Sequence, residues 1–270
     1  MAAVIGMLID GYRTINDDWS DPRLKGWPLC GHLWIPIGIV SLYNYFVLKW
    51  GPEFMEKRKP FNVDRIMIVY NIIQIVLCSW VTIEAFKMIA WSGDFNWMCE
   101  PIDYGDNPKT RRIIRMVWVY YMLKILDLLD TVFIILRKKF NQASFLHIYH
   151  HSGMVGLGYV GTNFIAGGHG MSLGLLNNFV HAVMYSYYLL SALRPEYKRS
   201  NWMKKKVTQL QMIQFFMLIL HFSLPFFQPN CNYPLWICFI ILPQYSFMLV
   251  LFADFYRKAY GKKVEPAKTQ

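Results

Sequence analysis

The chain is poor in charged residues, and in acidic residues above all. Asp and Glu number 17, and charged residues make up 17% of 270 residues while hydrophobic residues make up 55%. The mean hydropathy is +0.24. Soluble domains carry about 25% charged residues. This composition excludes an ordinary soluble domain and predicts a protein of the lipid bilayer.

The low cysteine content and the lack of repeats or polar inserts limit the possible domain organisation. Five cysteines are too few for a disulfide scaffold, and Cys30, Cys78 and Cys238 are interpreted as packing residues. We find no internal repeat and no long polar insert, so a second domain is excluded. The sequence therefore predicts a single integral membrane domain over residues 1–270.

Long apolar runs are what the chain does have. Seven runs approach the length that crosses a bilayer as a helix. We predict an all-α fold with seven transmembrane helices, an irregular lead-in at 1–31, a bundle over about 33–256 and a polar tail at about 257–270. The predicted spans are 33–48, 66–83, 116–136, 145–164, 171–193, 207–227 and 235–255.

The net charge of +11 is typical of nucleic-acid binding proteins, but the cations lie between the apolar runs. Under the positive-inside rule this distribution places the C-terminus in the cytosol and the N-terminus on the opposite, lumenal side. Nineteen cations fall on the predicted cytosolic side: Lys49, Lys57, Arg58, Lys59, Arg65, Arg137, Lys138, Lys139, Arg194, Lys198, Arg199, Lys204, Lys205, Lys206, Arg257, Lys258, Lys262, Lys263 and Lys268. Eight fall on the other: Arg13, Arg23, Lys25, Lys87, Lys109, Arg111, Arg112 and Arg115.

Cys99 and Cys231 both fall in predicted non-cytosolic loops, where oxidation is possible. A single bridge between these loops and two unrelated free thiols are equally compatible with the sequence, because pairing cannot be read from spacing.

Polar residues inside the apolar runs are costly and mark a site or a pathway. His147, His150 and His151 fall on one helical face, which predicts that three rings converge; a stacked core group and a metal site are the alternatives.

For Asp127, a self-satisfied ion pair with Lys124 is the simpler interpretation. Polar stripes on the third, fifth and sixth spans add Lys124, Asp127, Asp130 and Thr131; Asn177, His181, Met184, Tyr185 and Tyr188; and Thr208, Gln211 and Gln214. Four adjoining stripes predict a shared polar chamber.

The motifs resemble the signature boxes of the very-long-chain fatty acid elongases. The four boxes occur in order as Lys124-x-x-Asp127-x-x-Asp130-Thr131, His147-x-x-His150-His151, Asn177-x-x-x-His181-x-x-Met184-Tyr185 and Thr208-x-x-Gln211-x-x-Gln214. The family usually has Glu at the position of Asp127, a change that keeps the charge.

The resemblance implies the condensing enzyme of the endoplasmic reticulum membrane, an acyltransferase that joins a long-chain acyl-CoA to malonyl-CoA. The products are 3-ketoacyl-CoA, CoA and CO2. It implies six helices around a narrow acyl-CoA tunnel, a lumenal Cys99–Cys231 bridge, and no metal or other cofactor. Ketoacyl reductase, dehydratase and enoyl reductase partners of the elongation cycle are also implied. We expect chain-length preference to depend on bulky residues at the closed end of the tunnel, such as Trp80 or Phe222. A homo-oligomer is compatible with the apolar surfaces, as is a monomer.

A neutral imidazole is a competent acyl acceptor, so His150 is the predicted nucleophile in ping-pong chemistry through an acyl-imidazole. Catalytic roles in setting tautomers and moving protons are predicted for His147, His151 and Asp130. Hydrogen bonds to the thioester oxyanion or the enolate are predicted from Asn177, His181 and Gln211. The substrate-binding residues predicted are Lys124, Tyr185 and Gln214 along the chamber, with Arg137, Lys139, Lys204, Thr208 and Arg257 at the cytosolic mouth for CoA. For the mouth residues, topology-setting charge and helix capping are equal alternatives.

Two other functional classes are also compatible with the histidine box and the buried polar residues. A membrane di-iron desaturase or hydroxylase also carries H-x-x-H-H boxes, but with only seven histidines two irons would lack ligands. A seven-helix receptor or transporter would use buried polar groups for binding or ion movement; it would not require three clustered histidines.

Overall fold

The computed structural model describes residues 2–261. Most of the predicted cytosolic tail, including Lys262, Lys263 and Lys268, therefore lies outside the described residues. Within 2–261 the secondary structure is helical and no strand occurs, which confirms the predicted all-α class.

The helices follow the apolar runs of the sequence. In chain order they are α1 (Ala2–Arg13), α2 (Trp34–Tyr45), α3 (Gly51–Glu56), α4 (Asp64–Phe86), α5 (Pro108–Leu126), α6 (Leu128–Leu136), α7 (Phe145–Asn163), α8 (Met171–Leu193), α9 (Pro195–Arg199), α10 (Asn201–Ser223) and α11 (Leu235–Tyr260). A π-helical turn, Phe46–Trp50, joins α2 to α3, and another, Lys87–Trp91, extends α4. Only Asp127 separates α5 from α6, and its N–H still donates to the Leu123 carbonyl at 2.8 Å.

Side-chain caps fix where the helices that carry the site begin. The amide oxygen of Asn107 accepts from the Thr110 N–H at 3.0 Å while the Thr110 hydroxyl accepts from the Asn107 N–H at 3.1 Å, which is a capping box at the start of α5. The Ser144 hydroxyl accepts from the His147 N–H at the start of α7, and Ser200 caps α10 in the same way. Each cap satisfies an amide that the helix leaves unpaired.

The distribution of polarity on α4 is the reverse of that in a soluble protein. After its first two residues the exposed positions are apolar, while Tyr70, Asn71 and Gln74 are buried. The exposed apolar set is Ile66, Val69, Ile72, Ile73, Val76, Trp80, Ile83 and Phe86. Such a face is stable against lipid and not against water. By length and hydropathy, three helical segments in residues 2–261 qualify as membrane spans: Asp64–Trp91, Asn201–Phe227 and Leu235–Tyr260.

The long helices pack side by side. α4 lies along α8, α10 along α11, and α7 packs against both α2 and α5. Because α4, α5, α7 and α8 are neighbours, side chains far apart in sequence meet in the interior.

One end of the bundle carries the disulfide. Cys99, in the loop after α4, is bonded to Cys231, in the loop before α11, with their Cα atoms 5.7 Å apart. The expected Cys99–Cys231 bridge is therefore present. Cys30, Cys78 and Cys238 are free and buried, as expected for packing residues. We call this the disulfide end and the opposite one, where Arg137 and Lys204 lie, the basic end.

The N-terminal lead-in packs against the disulfide end. The Asp21 N–H donates to the Asn163 carbonyl at 2.7 Å, and the Gly31 N–H donates to the Asn163 side chain at 2.8 Å. Its first part differs from the irregular chain expected for 1–31, because α1 forms there. The helix-forming run between Ala2 and Ile9 precedes the Asp and Pro residues on which that expectation was based.

Candidate functional site

A buried ion pair lies between α5 and α8. Lys124 is only 1% exposed, and its Nζ donates to Asp127 Oδ2 at 3.0 Å and to Asn177 Oδ1 at 2.9 Å. The same Nζ lies 4.9 Å from the centroid of the Tyr120 ring. An ammonium group is stable in such a place only when it is paired and hydrogen-bonded. The predicted Lys124–Asp127 pair is present, and Asn177 completes it.

Asp127 is the centre of a wider network. Its Oδ1 accepts from Gln74 Nε2 at 2.7 Å and from the Tyr185 hydroxyl at 2.9 Å. The same hydroxyl lies 2.7 Å from Asp130 Oδ2. A phenol has one proton and can donate to only one carboxylate at a time. A proton shared between Asp130 and Tyr185 would satisfy both contacts.

The three histidines of α7 lie together, as their spacing predicts. The His147 and His151 ring centroids are 4.3 Å apart, and those of His150 and His151 are 5.4 Å apart. His147 Nε2 forms a 2.9 Å hydrogen bond with the Thr131 hydroxyl, which lies 2.7 Å from the Tyr43 hydroxyl. His147 is thereby fixed to α6, and His151 packs against it.

Three imidazoles of the polar centre form no hydrogen bond with the protein within residues 2–261: those of His150, His151 and His181. His181 is buried, and its Nδ1 is 3.6 Å from Asp127 Oδ2, which is beyond hydrogen-bonding distance. His151 is also buried, whereas His150 is half-buried. His150 is therefore the most exposed of the three rings.

Two of the predicted site residues of α10 contact α8 or their own helix. Gln211 Nε2 points to the Met184 sulfur at 3.5 Å, and Gln214 is buried. The Thr208 hydroxyl donates to the Lys204 carbonyl of its own helix at 3.0 Å. This is a bond within the helix and not the capping role expected as the alternative to CoA binding, because Ser200 caps α10.

The cations predicted to bind CoA lie at the basic end. Arg137 is half-buried, 3.6 Å from Asp64, and Arg257 is exposed, 3.0 Å from Asp254. Lys139 and Lys204 are half-buried. Arg137 follows Asp127 by ten residues, a rise of roughly 15 Å along a helix. These cations therefore lie at the basic end of the bundle and not at the polar centre.

Several residues of the site were missed by sequence reasoning. They are Tyr43, Tyr70, Gln74 and Tyr120, together with Gln244, whose Oε1 accepts from the Tyr149 hydroxyl at 2.6 Å. Tyr70 and Gln74 are one turn apart, with Asn71 between them, inside an apolar run. These polar side chains inside an apolar run were a local sequence signal for the site. The tyrosines carry no such signal because they are equally frequent in apolar cores.

An apolar cavity of about 70 Å³ adjoins the polar centre. It begins at Tyr120 and Met154 and extends to Tyr233 and Ile237 at the disulfide end. Neither Trp80 nor Phe222 lines it, although we expected bulky residues of this kind at the closed end. Trp80 is 37% exposed on the outside of α4, and Phe222 is buried between α10 and α11.

The polar centre contains side chains of the types that bind metal ions. In the part of the chain that the structure describes, no group of three or more His, Cys, Asp or Glu side chains has an arrangement that could hold a metal ion. On α7, His147 is hydrogen-bonded to Thr131, and its ring is tilted by 45° against the ring of His151.

Fold and site together define an all-helical membrane protein whose interior holds a polar, histidine-containing centre next to an apolar cavity. Comparison with known sequences identifies the family. The sequence model of the ELO: GNS1/SUR4 family matches residues 28–268, and the chain belongs to this family.

The curated relatives carry consistent names. Very long chain fatty acid elongase 7 of Rattus norvegicus is 39% identical over 263 residues, covering 95% of this chain and 93% of the relative. Elongase 7 of Drosophila melanogaster is 38% identical, covering 95% and 78%. Elongase 1 of Homo sapiens is 37% identical, covering 93% and 91%. The resemblance inferred from the four boxes is confirmed.

Proposed function

We propose that the protein condenses a long-chain acyl-CoA with malonyl-CoA to give 3-ketoacyl-CoA, CoA and CO2. The observation that carries this proposal is the position of the His150 ring, free of protein hydrogen bonds, beside the Lys124–Asp127–Asn177 network and close to an apolar cavity. A reactive nitrogen, hydrogen-bond donors for an oxyanion and room for a hydrocarbon chain are the three requirements of acyl transfer to carbon.

The proposed membrane arrangement has seven crossings in the endoplasmic reticulum. The basic end faces the cytosol and the disulfide end faces the lumen. The reversed polarity of α4 and the concentration of cations at the basic end support it. Six helices would then surround a tunnel that admits CoA from the cytosol, with the acyl chain in the apolar cavity.

In the first step the lone pair of a His150 ring nitrogen attacks the thioester carbonyl. A carbon–nitrogen bond forms, the carbon–sulfur bond breaks, and CoA leaves as the thiol with the proton that the imidazole ring gives up. The product is an acyl-imidazole on the protein. His147, fixed by Thr131, and His151, which packs against both His147 and His150, would hold the His150 ring in place during this transfer.

In the second step malonyl-CoA loses CO2, and the electron pair of the broken carbon–carbon bond becomes the enolate of acetyl-CoA. The enolate carbon attacks the acyl carbonyl, and the bond to His150 breaks. The ring regains its proton from solvent, so one proton is consumed for each condensation. The 3-ketoacyl-CoA product then needs a ketoreductase partner and the later enzymes of an elongation cycle.

Asn177 and His181 are the proposed donors to the oxyanion or the enolate. The Asn177 Oδ1 accepts from Lys124, which directs the amide NH2 group away from the lysine and leaves it free to donate. A neutral imidazole carries one N–H, which His181 can direct at a substrate oxygen. Gln211 faces Met184 and is the weaker candidate. Asp130 and Tyr185 would relay the proton.

CoA would be held at the basic end. Arg137, Lys139, Lys204 and Arg257 supply the positive charge that its phosphates require. Lys124 is already paired with Asp127, so we assign it to the polar centre and not to the phosphates.

The test is condensation by the purified full-length protein with labelled malonyl-CoA and a series of long acyl-CoAs. His150→Ala is expected to lower product formation at least about a thousandfold. With acyl-CoA alone, the wild type is expected to release one equivalent of CoA and gain the mass of one acyl group, and His150→Ala is expected to do neither.

His32→Ala is the matched control, because His32 lies at the disulfide end, outside the polar centre, and it should keep wild-type turnover. Full activity of His150→Ala would contradict the nucleophile assignment. A folded wild type that makes no product with any acyl-CoA would contradict condensation and favour binding or transport. Stoichiometric iron in the active protein would favour the desaturase alternative.

A further inference from the structure

Glycine is unusually concentrated around the apolar cavity. Five glycines line it: Gly158, Gly161, Gly167, Gly170 and Gly174. Since glycine destabilises a helix relative to alanine, each one calls for a reason in the backbone or the packing.

Three of the five have such a reason. A Cβ on Gly158 would lie 3.1 Å from the Tyr121 ring, so this glycine lets α7 approach α5. Gly167 has φ +124°, which side-chain-bearing residues rarely adopt. A Cβ on Gly170 would lie 3.0 Å from the Tyr233 hydroxyl.

Gly161 in α7 and Gly174 in α8 have no such reason. Both have ordinary helical backbone angles, and a Cβ built on either meets no heavy atom within 4 Å outside its own helix. Since both residues line the cavity, the open space next to them is the cavity itself. Because these two residues have no side chain, the cavity is wider at their positions than it would be with any other residue.

The two glycines lie at a similar depth. Gly161 comes two residues before α7 ends at Asn163, and Gly174 comes three residues after α8 begins at Met171. Gly161 follows His150 by eleven residues, a rise of roughly 16 Å along α7. A chain attached at His150 that extends into the cavity therefore reaches both glycines after about this distance.

We propose that Gly174 and Gly161 together determine how long an acyl chain the protein accepts. This rests on the proposed function, in which an acyl chain occupies the cavity. A side chain at either position closes the cavity at that depth, and methylenes beyond the block have no place to bind.

The experiment compares Gly161→Leu and Gly174→Leu with the control Gly156→Leu in the full-length purified protein. Gly156 is also in α7 and also has no atom within 4 Å of an added Cβ, but it does not line the cavity. The measurement is kcat/KM for saturated acyl-CoAs of increasing length with labelled malonyl-CoA, expressed as the ratio of long to short chains.

We expect the ratio to fall at least tenfold in both cavity variants, with the drop at a similar chain length in the two, and to stay at the wild-type value in Gly156→Leu. An unchanged ratio, or the same loss at every chain length, would overturn the proposal. If a leucine variant does not fold, the alanine variant at that position is measured instead. We expect its ratio of long-chain to short-chain kcat/KM to fall at least twofold.

If the wild type condenses no acyl-CoA, condensation itself is contradicted. The same ratio is then measured from binding affinities for the acyl-CoA series. A length-dependent loss of affinity in the cavity variants alone would still support the glycine proposal, and equal affinities would end it.

Discussion

At the scale of single residues, the centre depends on the partners that surround one buried lysine. Lys124 is 1% exposed and Asp127 is 3% exposed, so neither charge can be satisfied by water. Asp127 also accepts from Gln74 and Tyr185. Removal of one partner leaves the other charge uncompensated, whereas removal of both charges leaves neutral hydrogen bonds in place.

Lys124→Met is therefore expected to lower the free energy of unfolding by about 3–5 kcal/mol, the usual cost of breaking a buried pair. The double variant Lys124→Met/Asp127→Asn should recover at least half of this loss, because the neutral amide leaves no buried charge unpaired. Reversible denaturation in detergent micelles measures both. A double variant no more stable than the single one would show that the charge pair is not the source of the stability.

At the scale of single elements, the position of the histidine rings depends on where α7 begins. Ser144 caps the first turn by accepting from the His147 N–H, and His147 is in turn bonded to Thr131. The start of the helix thus places His147 against α6 and sets the positions of His150 and His151, six and seven residues after the cap. A frayed first turn would release His147 first.

Ser144→Ala is expected to destabilise the protein by about 1 kcal/mol through loss of the cap. Because that turn carries His147, the variant should also lower kcat. Ser144→Asp keeps an acceptor oxygen and should restore both, whereas Ser152→Ala, later in the same helix, is the control for loss of a hydroxyl. Equal kcat in the wild type and Ser144→Ala would show that the helix cap does not affect catalysis.

At the scale of the whole molecule, one covalent bond ties the two long loops of the disulfide end. Cys99 and Cys231 are 132 residues apart in sequence, and the segment between them contains all four signature boxes. A crosslink over so long a segment restricts the unfolded chain strongly. The same end closes the apolar cavity at Tyr233, two residues beyond Cys231.

Cys99→Ser/Cys231→Ser is expected to lower the free energy of unfolding by about 2–5 kcal/mol. A reductant should lower the Tm of the wild type towards that of the double variant and leave the Tm of the double variant unchanged. A Tm of the wild type that reductant does not change, under conditions where free thiols appear, would contradict a stabilising role.

The sequence by itself determined the all-helical class and the family, and through the family resemblance the disulfide partners. The fold class and the family both depend on local information, because apolar runs predict helices and each signature box is a short motif in the sequence. It also predicted that His147, His150 and His151 lie together, because helical spacing alone places them on one face.

Only the tertiary structure decided which groups meet across helices. The contacts of Asp127 with Gln74, of Lys124 with Asn177 and of Thr131 with Tyr43 join residues 53 to 88 positions apart. The glycine-lined cavity, and the fact that Trp80 lies outside it, follow from the same packing. The rotation and depth at which two helices pack are set by the fit of all their side chains together, and the pattern along one helix does not contain that information.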